Sequence, residues 1–234
     1  MGWPYDPVLV KFFTSMPTSP ASPAPEKHIA ESTVRRLSLY LRVLEHAATR
    51  GQQTISSDEL AQEGGTTSAQ VRKDLSFFGS FGKRGRGYDV AELVSQLEDI
   101  LGLGREWKVY IVGAGKIGAA LVSYRGFSQR GFRVLGIYDN NPQLVGRMID
   151  GVGIRSMAQL EHDAARELPD IAVITVPVEH AQAVADRVVS AGVRAIMNFA
   201  PVPLHVPVAV TVKSVNMALE LEGLAYAIVH RDRE

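Results

Sequence analysis

The most constraining feature of this chain is a glycine-rich turn that directly follows a hydrophobic run. Residues 109–112 are apolar, and residues 112–118 have the sequence VGAGKIG, a G-x-G-x-x-G pattern in a strand–turn–helix context. Each glycine has a physical role: Gly113 permits the tight turn, Gly115 lets the backbone approach a pyrophosphate, and Gly118 lets the helix pack on the strand. The N–H groups and the dipole at the helix start face the phosphates. The sequence therefore predicts a dinucleotide-binding unit.

The next predicted strand supplies a candidate partner for the ribose of the dinucleotide. It spans residues 132–138 and is followed by Asp139, at the spacing expected for a carboxylate that accepts from the ribose 2′-OH. Asn140 and Asn141 come next, and no arginine is present there to bind a 2′-phosphate. We therefore expect NAD(H) rather than NADP(H).

Two further loops are expected at the same edge of the sheet. They have the sequences TVP at 175–177 and NFAP at 198–201. Ligands bind at the carboxyl ends of parallel strands, so both loops are candidates for the nicotinamide side, although prolines also occur in turns that contact no ligand. The candidate cofactor-binding residues are Gly113, Ala114, Gly115, Lys116, Ile117, Gly118, Asp139, Thr175, Pro177, Asn198 and Phe199.

The second half of the chain alternates between strand and helix patterns. Predicted strands cover 108–113, 132–139 and 171–176, with shorter ones near 152–155, 194–197 and 208–215, and predicted helices cover 116–130, 156–168 and 178–191. Alternation with short connections predicts a doubly wound parallel sheet of the Rossmann type. A last helix, from about Asn216 to His230, has an apolar face.

The first half of the chain has the pattern of a helix-turn-helix followed by a wing. Helical spacing covers 31–50, and a second helix starts at Ser57 and ends near Gly64 and Gly65. The third helix, capped by the segment 66–68, extends to about Phe78. The glycine-punctuated segment 79–89 suits a β-hairpin wing. The sequence thus predicts a winged helix-turn-helix domain.

Charge is distributed unevenly along a chain of zero net charge, with 25 basic and 25 acidic residues. Between residues 66 and 88 the only acid is Asp74, against five basic residues. A basic recognition helix and wing suit DNA, with Gln70 and Lys73 facing bases, and Arg72 facing a phosphate. Arg84 and Arg86 suit a minor groove. A solvated charged face is the alternative interpretation of this pattern.

Composition limits the remaining chemistry. The chain has no cysteine, which excludes disulfides, thiol redox switching and cysteine metal sites. There is no apolar run of the roughly 20 residues that a membrane span needs and no secretion signal, so we expect a cytoplasmic protein with no membrane partner and no metal. The expected domains are a disordered proline-rich tail at 1–28, the DNA-binding domain at 29–104, the Rossmann domain at 105–213 and a C-terminal dimerisation helix at 214–234.

With both halves in view, the sequence resembles the Rex family of redox-sensing bacterial transcriptional repressors. The matching stretches are TVRRLSLYLRVLE at 33–45, TSAQVRKDLSFFGSFGKRGRGYDV at 67–90, ILGLGREWKVYIVGAGKIGAAL at 100–121 and NFAPV at 198–202. The resemblance covers about residues 29–228. It implies a homodimer that binds palindromic operators and releases them when NADH binds, with NAD+ competing, so that the protein reports the NADH/NAD+ ratio.

The resemblance also assigns roles to single residues. Lys73 and Arg72 match recognition-helix contacts with DNA, and Arg84 matches the wing arginine. Tyr124 matches a tyrosine near the nicotinamide, and Arg42 matches a switch residue on the first helix. The C-terminal helix matches one that is exchanged between subunits. This chain has Asn216 where some family members carry an aspartate that pairs with that arginine and tyrosine, and a neutral amide can hydrogen-bond to either residue but cannot form a salt bridge.

Two other classes of protein share some of these features. An NAD-dependent dehydrogenase would need an acid or base near the hydride, and the loops offer only Glu179, His180 and His205. His180 is placed by its sequence at the start of a surface helix. A DNA-binding protein whose Rossmann domain serves only dimerisation is the other alternative. We expect a repressor and no enzymatic activity.

Overall fold

A computed structural model describes residues 29–82 and 86–231. The chain divides into two compact units between Ala91 and Glu92. The tail predicted at 1–28 lies outside the described residues, as does Arg84. Within the described part, no helix has both the length and the apolarity that a membrane span requires.

The first unit is a small helical domain with a short two-stranded sheet. Its elements are α1 (Glu31–Thr49), β1 (Thr54–Ile55), α2 (Ser57–Glu63), α3 (Ser68–Ser76) and β2 (Tyr88–Asp89). Helix α2 packs against α1 and α3. Apolar side chains of α1 at helical spacing, among them Leu37, Leu41 and Leu44, are buried, as are Val71 and Leu75 of α3. This arrangement is that of the predicted helix-turn-helix domain.

Local capping signals set the starts of both short helices. Thr67 caps α3, because its hydroxyl accepts from the Gln70 N–H at 3.2 Å. Helix α2 starts at Ser57, as predicted, and its cap is the preceding residue, since Ser56 forms a capping box with Glu59. Helix α3 ends at Ser76 rather than near Phe78, because the last N–H groups bond three residues back and tighten the final turn.

The predicted wing differs from the structure where the segment is described. Strand β2 pairs antiparallel with β1, which lies before α2, and Tyr88 is opposite Ile55. The described residues 79–82 contain no strand. The pairing joins residues about 34 positions apart, so local hairpin signals did not reveal it.

The second unit contains a seven-stranded sheet. Its elements are α4 (Val90–Leu101, starting at the division between the units), β3 (Trp107–Val112), α5 (Lys116–Val122), α6 (Arg125–Gln129), β4 (Phe132–Asp139), β5 (Met148–Ile149), β6 (Val152–Ser156), a 3-10 turn at Met157–Gln159, α7 (Leu160–Arg166), β7 (Ile171–Ile174), α8 (Val178–Ser190), β8 (Ala195–Asn198), β9 (Thr211–Ser214) and α9 (Met217–His230). The strand order is β5-β6-β4-β3-β7-β8-β9, and every pairing except the antiparallel β5–β6 is parallel. Leaving out β5, this is the Rossmann order, with the switch point between β3 and β7.

Two apolar clusters pack in this unit. One includes Tyr110, Tyr138 and residues of α7 and α8, and the other includes Ile111, Ile137 and Val173. Successive side chains of β3 and β4 thus contribute to different clusters, as expected for a sheet buried on both faces. The strand β5 was missed because two residues carry no periodicity.

The helix predicted at 116–130 is interrupted. Helix α5 ends at Val122, and α6 begins at Arg125 after Tyr124, whose backbone is extended. The N–H of Ser123 still bonds to the Ala119 carbonyl, but that of Tyr124 bonds only three residues back, to Leu121. The break turns Tyr124 out of the helical register, and its side chain is exposed.

Candidate cofactor cleft and nucleic-acid interface

The glycine turn between β3 and α5 opens onto a cleft of about 230 Å³ at the carboxyl ends of the strands. The cleft is lined by Gly113, Gly115, Asp139, Thr175 and Pro177, among others. Five of the predicted cofactor-binding residues, drawn from three separate segments, therefore meet at one site. The site lies beside the switch point, where open α/β sheets bind ligands.

The three glycines of the turn differ in what requires them. Gly113 has φ +105°, and a Cβ there would lie 2.8 Å from the carbonyl oxygen of Thr175. A Cβ at Gly118 would collide with the Gly113 carbonyl. Gly115 has an ordinary φ of −69°, and a Cβ there would meet no protein atom within 4 Å. Neither backbone strain nor internal packing accounts for glycine at 115, whereas a ligand that approaches the backbone does.

Asp139 organises the turn that it faces. Its Oδ2 accepts from the Ala114 N–H at 2.7 Å, and its Oδ1 accepts from the Asn141 N–H at 2.7 Å. A carboxylate has about four lone-pair positions, so two remain for a ribose hydroxyl. Thr175 supports the turn from β7, because its hydroxyl donates to the Gly113 carbonyl at 2.8 Å.

Asn198 lies outside the lining of the cleft and is fully buried. Its amide donates to the carbonyls of Ala200 and Val202 at 3.0 and 2.9 Å, and its Oδ1 accepts from the Ala200 N–H. All these bonds hold the loop that carries Phe199. The structure therefore gives Asn198 a loop-shaping contact set.

The other predicted cofactor residues occupy separate places. The backbone N–H of Ala114 donates a hydrogen bond to Asp139. Lys116 and Ile117 are exposed in the first turn of α5. Tyr124 lines a different, larger cavity near α6, where its ring packs edge-on against Phe127 at 5.3 Å.

His180 was predicted to start a surface helix, and it is exposed in the first turn of α8. It also lines the cleft, a position that was not predicted from the sequence. Its position three residues after Pro177, in the helix that follows β7, was the available signal. No group of three or more His, Asp or Glu in residues 29–82 and 86–231 is arranged to hold a metal.

Helix α3 carries three of the predicted DNA-binding residues, of which Arg72 and Lys73 are exposed and Gln70 is partly buried. Lys73 is exposed, as are Ala69 and Ser76. Arg72 is exposed and donates to the Ser57 hydroxyl at 2.8 Å. Arg86 is exposed beyond the gap in the described residues.

Asp74, the one acid of the basic segment, is completely buried. It accepts both arms of Arg36 from α1, with Nε–Oδ2 and Nη2–Oδ1 distances of 2.6 and 2.7 Å. Tyr40 donates to it at 3.0 Å and Gln70 at 2.8 Å. Burial alone would raise the pKa of Asp74, but the bonds from Arg36, Gln70 and Tyr40 bring it below its usual value.

The cluster formed by Asp74, Arg36, Tyr40 and Gln70 ties α3 to α1. It was not predicted from the sequence. Burial and the bond to Asp74 raise the pKa of Tyr40 to about 12, so it remains a donor at neutral pH. Because Asp74 is buried and paired, it places no negative charge on the outer face of α3. The polar residues spaced along α1 were the available signal, since Thr33, Arg36 and Tyr40 lie on one side of that helix.

Helix α9 has no buried residue in the single chain. Its exposed large apolar side chains are Met217, Leu219, Leu221, Leu224, Tyr226, Ile228 and Val229. Asn216 caps the helix, because its Oδ1 accepts from the Ala218 N–H at 3.0 Å. Arg42 is exposed on α1.

Comparison with known proteins places this architecture. A family described as a CoA binding domain matches residues 104–202, and one described as a putative DNA-binding protein N-terminus matches 28–76. The redox-sensing transcriptional repressor Rex of Carboxydothermus hydrogenoformans is 46% identical over 200 residues, covering 86% of this chain and 96% of the relative. That of Streptomyces coelicolor is 46% identical over 198 residues, covering 85% and 77%.

Solved structures agree with the sequence relatives. The crystal structure of RSP in complex with β-NADH is 36% identical with a TM-score of 0.81, covering 88% of this chain and 97% of that one. RSP in complex with β-NAD+ and operator DNA is 38% identical with a TM-score of 0.83, covering 88% and 95%. The glycine turn, the helix-turn-helix unit and these likenesses along most of the chain together show that the protein belongs to the Rex family of redox-sensing transcriptional repressors.

Proposed function

We propose that this protein is a transcriptional repressor that senses the NADH/NAD+ ratio. It binds palindromic operator DNA as a homodimer and releases it when NADH binds, without catalysing a reaction. The observation that carries the proposal is Gly115, a glycine that neither backbone strain nor internal packing requires, at a cleft in a chain that also has a helix-turn-helix unit. The complexes of the relative RSP with NADH, and with NAD+ and operator DNA, support it.

The proposed cofactor site uses the residues of the turn and its neighbours. The N–H groups from Gly115 to Gly118, including Lys116 and Ile117, receive the pyrophosphate at the start of α5. Asp139 accepts from the ribose through its spare lone pairs. On the nicotinamide side we place Thr175 and Pro177, which line the cleft, and Phe199, whose loop is held by Asn198. Tyr124 belongs to this side by family resemblance.

The proposed DNA interface is the outer face of α3 with the wing. Lys73 and Gln70 contact bases, and Arg72 contacts a phosphate while Ser57 orients its guanidinium. Arg84 and Arg86 enter a minor groove. The boundaries that we propose for these functional regions are 29–104 for DNA binding, 105–213 for the cofactor and 214–234 for dimerisation.

A second copy of the chain is the proposed partner of α9. A helix whose surface is largely apolar is normally buried, yet no residue of α9 is buried in one chain. Exchange between two subunits provides a cover and gives the two-fold symmetry that a palindromic operator requires. Arg42, Tyr124 and Asn216 are the proposed switch residues, with Asn216 able to hydrogen-bond but not to supply a charge.

The test is operator binding by the full chain, titrated with NADH, NAD+ or NADPH. The salt concentration is kept fixed, because the contribution of phosphate contacts to DNA affinity varies with salt. We expect saturating NADH to weaken binding by about 5- to 150-fold, the usual range of allosteric coupling. NAD+ should weaken it much less, and NADPH should act only at far higher concentration. Unchanged operator affinity at saturating NADH would refute the proposal.

A dehydrogenase remains the alternative that one observation favours, since His180 lines the cleft. The same titration separates the two proposals when NADH absorbance is followed in parallel. A repressor leaves the absorbance constant while operator is released. Steady oxidation of NADH, coupled to reduction of an added carbonyl compound and abolished by His180→Ala, would instead indicate an enzyme.

A further inference from the structure

The buried carboxylate of Asp74 is an obligate hydrogen-bond acceptor. It is fully buried, and Arg36 binds both of its oxygens. A bidentate arginine requires the ionised form, which has lone pairs and no proton to donate. Any side chain that contacts Asp74 must therefore present a donor.

Gln70 lies one helical turn before Asp74 and meets this requirement in only one orientation. Its Nε2 donates to Oδ1 of Asp74 at 2.8 Å. Turning the amide by 180° would place Oε1 against Oδ1, two acceptors in a partly buried setting, which costs the bond and adds repulsion. The oxygen and nitrogen of the Gln70 amide therefore have fixed places before DNA arrives.

This hydrogen bond, the Asp74–Gln70 tether, also decides which groups of the Gln70 amide remain free to contact a base. One N–H is used by Asp74, so one N–H and Oε1 remain, and neither bonds to any described residue. That pair matches adenine, which presents an acceptor at N7 and a donor at N6 in the major groove. Guanine presents acceptors at both N7 and O6 and would need two donors. An untethered glutamine can turn its whole NH2 group toward guanine, but a tethered one cannot.

We propose that Asp74 is a positioning residue for sequence recognition: by fixing the Gln70 amide, it makes Gln70 select adenine against guanine in each operator half-site. The inference rests on the proposed DNA-binding function and adds to it a mechanism of base selection. It also assigns a role to the Arg36–Asp74 pair beyond holding α3 on α1. Arg36 keeps Asp74 ionised, and Asp74 orients the Gln70 amide that contacts the base.

The experiment uses the full chain and the operator that it selects from random-sequence duplexes. Each base pair of the half-site is changed in turn to the other three, and affinity is measured by anisotropy at one salt concentration. For the wild type we expect one position where adenine is preferred to guanine by about 5- to 150-fold, the range for one bidentate contact. Gln70→Ala should bring that ratio close to one at the same position only.

Asp74→Asn tests the tether directly. An asparagine amide offers a donor or an acceptor, so Gln70 is free to turn, and the adenine-to-guanine ratio should fall at the position identified with Gln70→Ala. The double variant, Gln70→Ala with Asp74→Asn, should have the same adenine-to-guanine ratio as Gln70→Ala alone. A ratio of affinities at one position cancels any uniform loss of binding. Tyr40→Phe is the matched control, because it removes a bond to Oδ2, the oxygen that Gln70 does not use.

A measurement on the wild type does not depend on whether Asp74→Asn folds. Side-chain amide relaxation by NMR, without DNA, should give Gln70 an order parameter near that of rigid backbone, roughly 0.85. Gln96 serves as the comparison, since its amide donates to Glu92 at 3.2 Å in an exposed pair with the same four-residue spacing. It should fall below about 0.6.

Three results would overturn the inference: an unchanged ratio in folded Asp74→Asn, no altered position in Gln70→Ala, or a Gln70 amide as mobile as that of Gln96. Each leaves NADH-dependent release of the operator intact. Failure of the proposed function would instead appear as wild-type protein that selects no operator or retains it at saturating NADH.

Discussion

Replacing Gly115 by alanine separates a glycine that a ligand needs from a glycine that the fold needs. The backbone φ at Gly115 is −69°, and an added Cβ has no neighbour within 4 Å. At Gly118 an added Cβ collides with the Gly113 carbonyl and lies 2.9 Å from the hydroxyl of Thr175. We therefore expect Gly115→Ala to fold normally and to bind NADH poorly, and Gly118→Ala to lose stability.

The effects of Gly115→Ala on folding nearly cancel. Alanine in a backbone conformation that it adopts without strain stabilises a protein by about 0.4–1 kcal/mol, because it restricts the unfolded chain. Gly115 is also the N-cap of α5, where alanine is worse than glycine by roughly 0.5–1 kcal/mol. The free energy of unfolding should therefore change by less than about 1 kcal/mol.

The effect on NADH binding is expected to be larger. A methyl group at Gly115 holds the pyrophosphate away from the N–H groups of α5 and removes at least one hydrogen bond to a charged group, worth about 1.5–3 kcal/mol. That corresponds to a rise of about 10- to 150-fold in the Kd. Because release of DNA is linked to NADH binding, the NADH concentration that releases half of the operator should rise by a similar factor.

Calorimetric titration with NADH and urea unfolding test this on the wild type and both variants. Operator affinity without NADH should be unchanged in Gly115→Ala, which shows that the DNA-binding unit is intact. The reasoning is refuted if Gly115→Ala is stable and binds NADH as tightly as the wild type. It is equally refuted if Gly115→Ala loses as much stability as Gly118→Ala.

Three further predictions concern the DNA face, the buried cluster and the final helix. Lys73→Ala should reduce the discrimination between specific and other DNA sites by about 1–3 kcal/mol. Arg72→Ala should instead weaken binding to all DNA sequences alike and reduce the slope of log K against log salt concentration by about one. Competition titrations over a salt series measure both effects. The folded-state pKa of Asp74 is lowered, so its contacts stabilise the fold above the unfolded-state value and are lost as pH falls through the folded value. Urea unfolding should therefore show an acid-induced loss of stability below about pH 4 that is smaller in Asp74→Asn, and equal losses in the two proteins would contradict this. Asn216→Asp keeps the cap of α9 and adds a charge, so it should shift the NADH concentration for release without abolishing release, and an unshifted curve would remove Asn216 from the switch.

Local signals in the sequence were enough to predict the two kinds of domain. The glycine turn, the alternation of strand and helix and the cap at Thr67 each involve residues within a few positions of one another, and the structure confirms them. Boundaries were less accurate, as at Tyr124, because a helix break depends on hydrogen bonds that carry no periodic pattern.

Contacts between distant segments were decided only by the tertiary structure. Asp74 looked like a lone acid on a basic helix, and its partners Arg36 and Tyr40 lie 38 and 34 residues away. Asn198 is predicted as a cofactor-site residue from its place in the sequence, and only the structure shows that its amide donates to two carbonyls of its own loop. Residue type and spacing do not tell which face of an element is buried against a polar partner.

The cleft shows the same division. The sequence by itself determined the nucleotide-binding turn, because its three glycines lie within one short segment, 113–118, and the carboxylate follows at a fixed distance along the chain. The order of the strands determined which other segments join them, bringing Thr175 into hydrogen-bonding distance of Gly113 from 62 residues away. Pairing between parallel strands is set by packing on both faces of the sheet, so it appears only when the whole chain has folded.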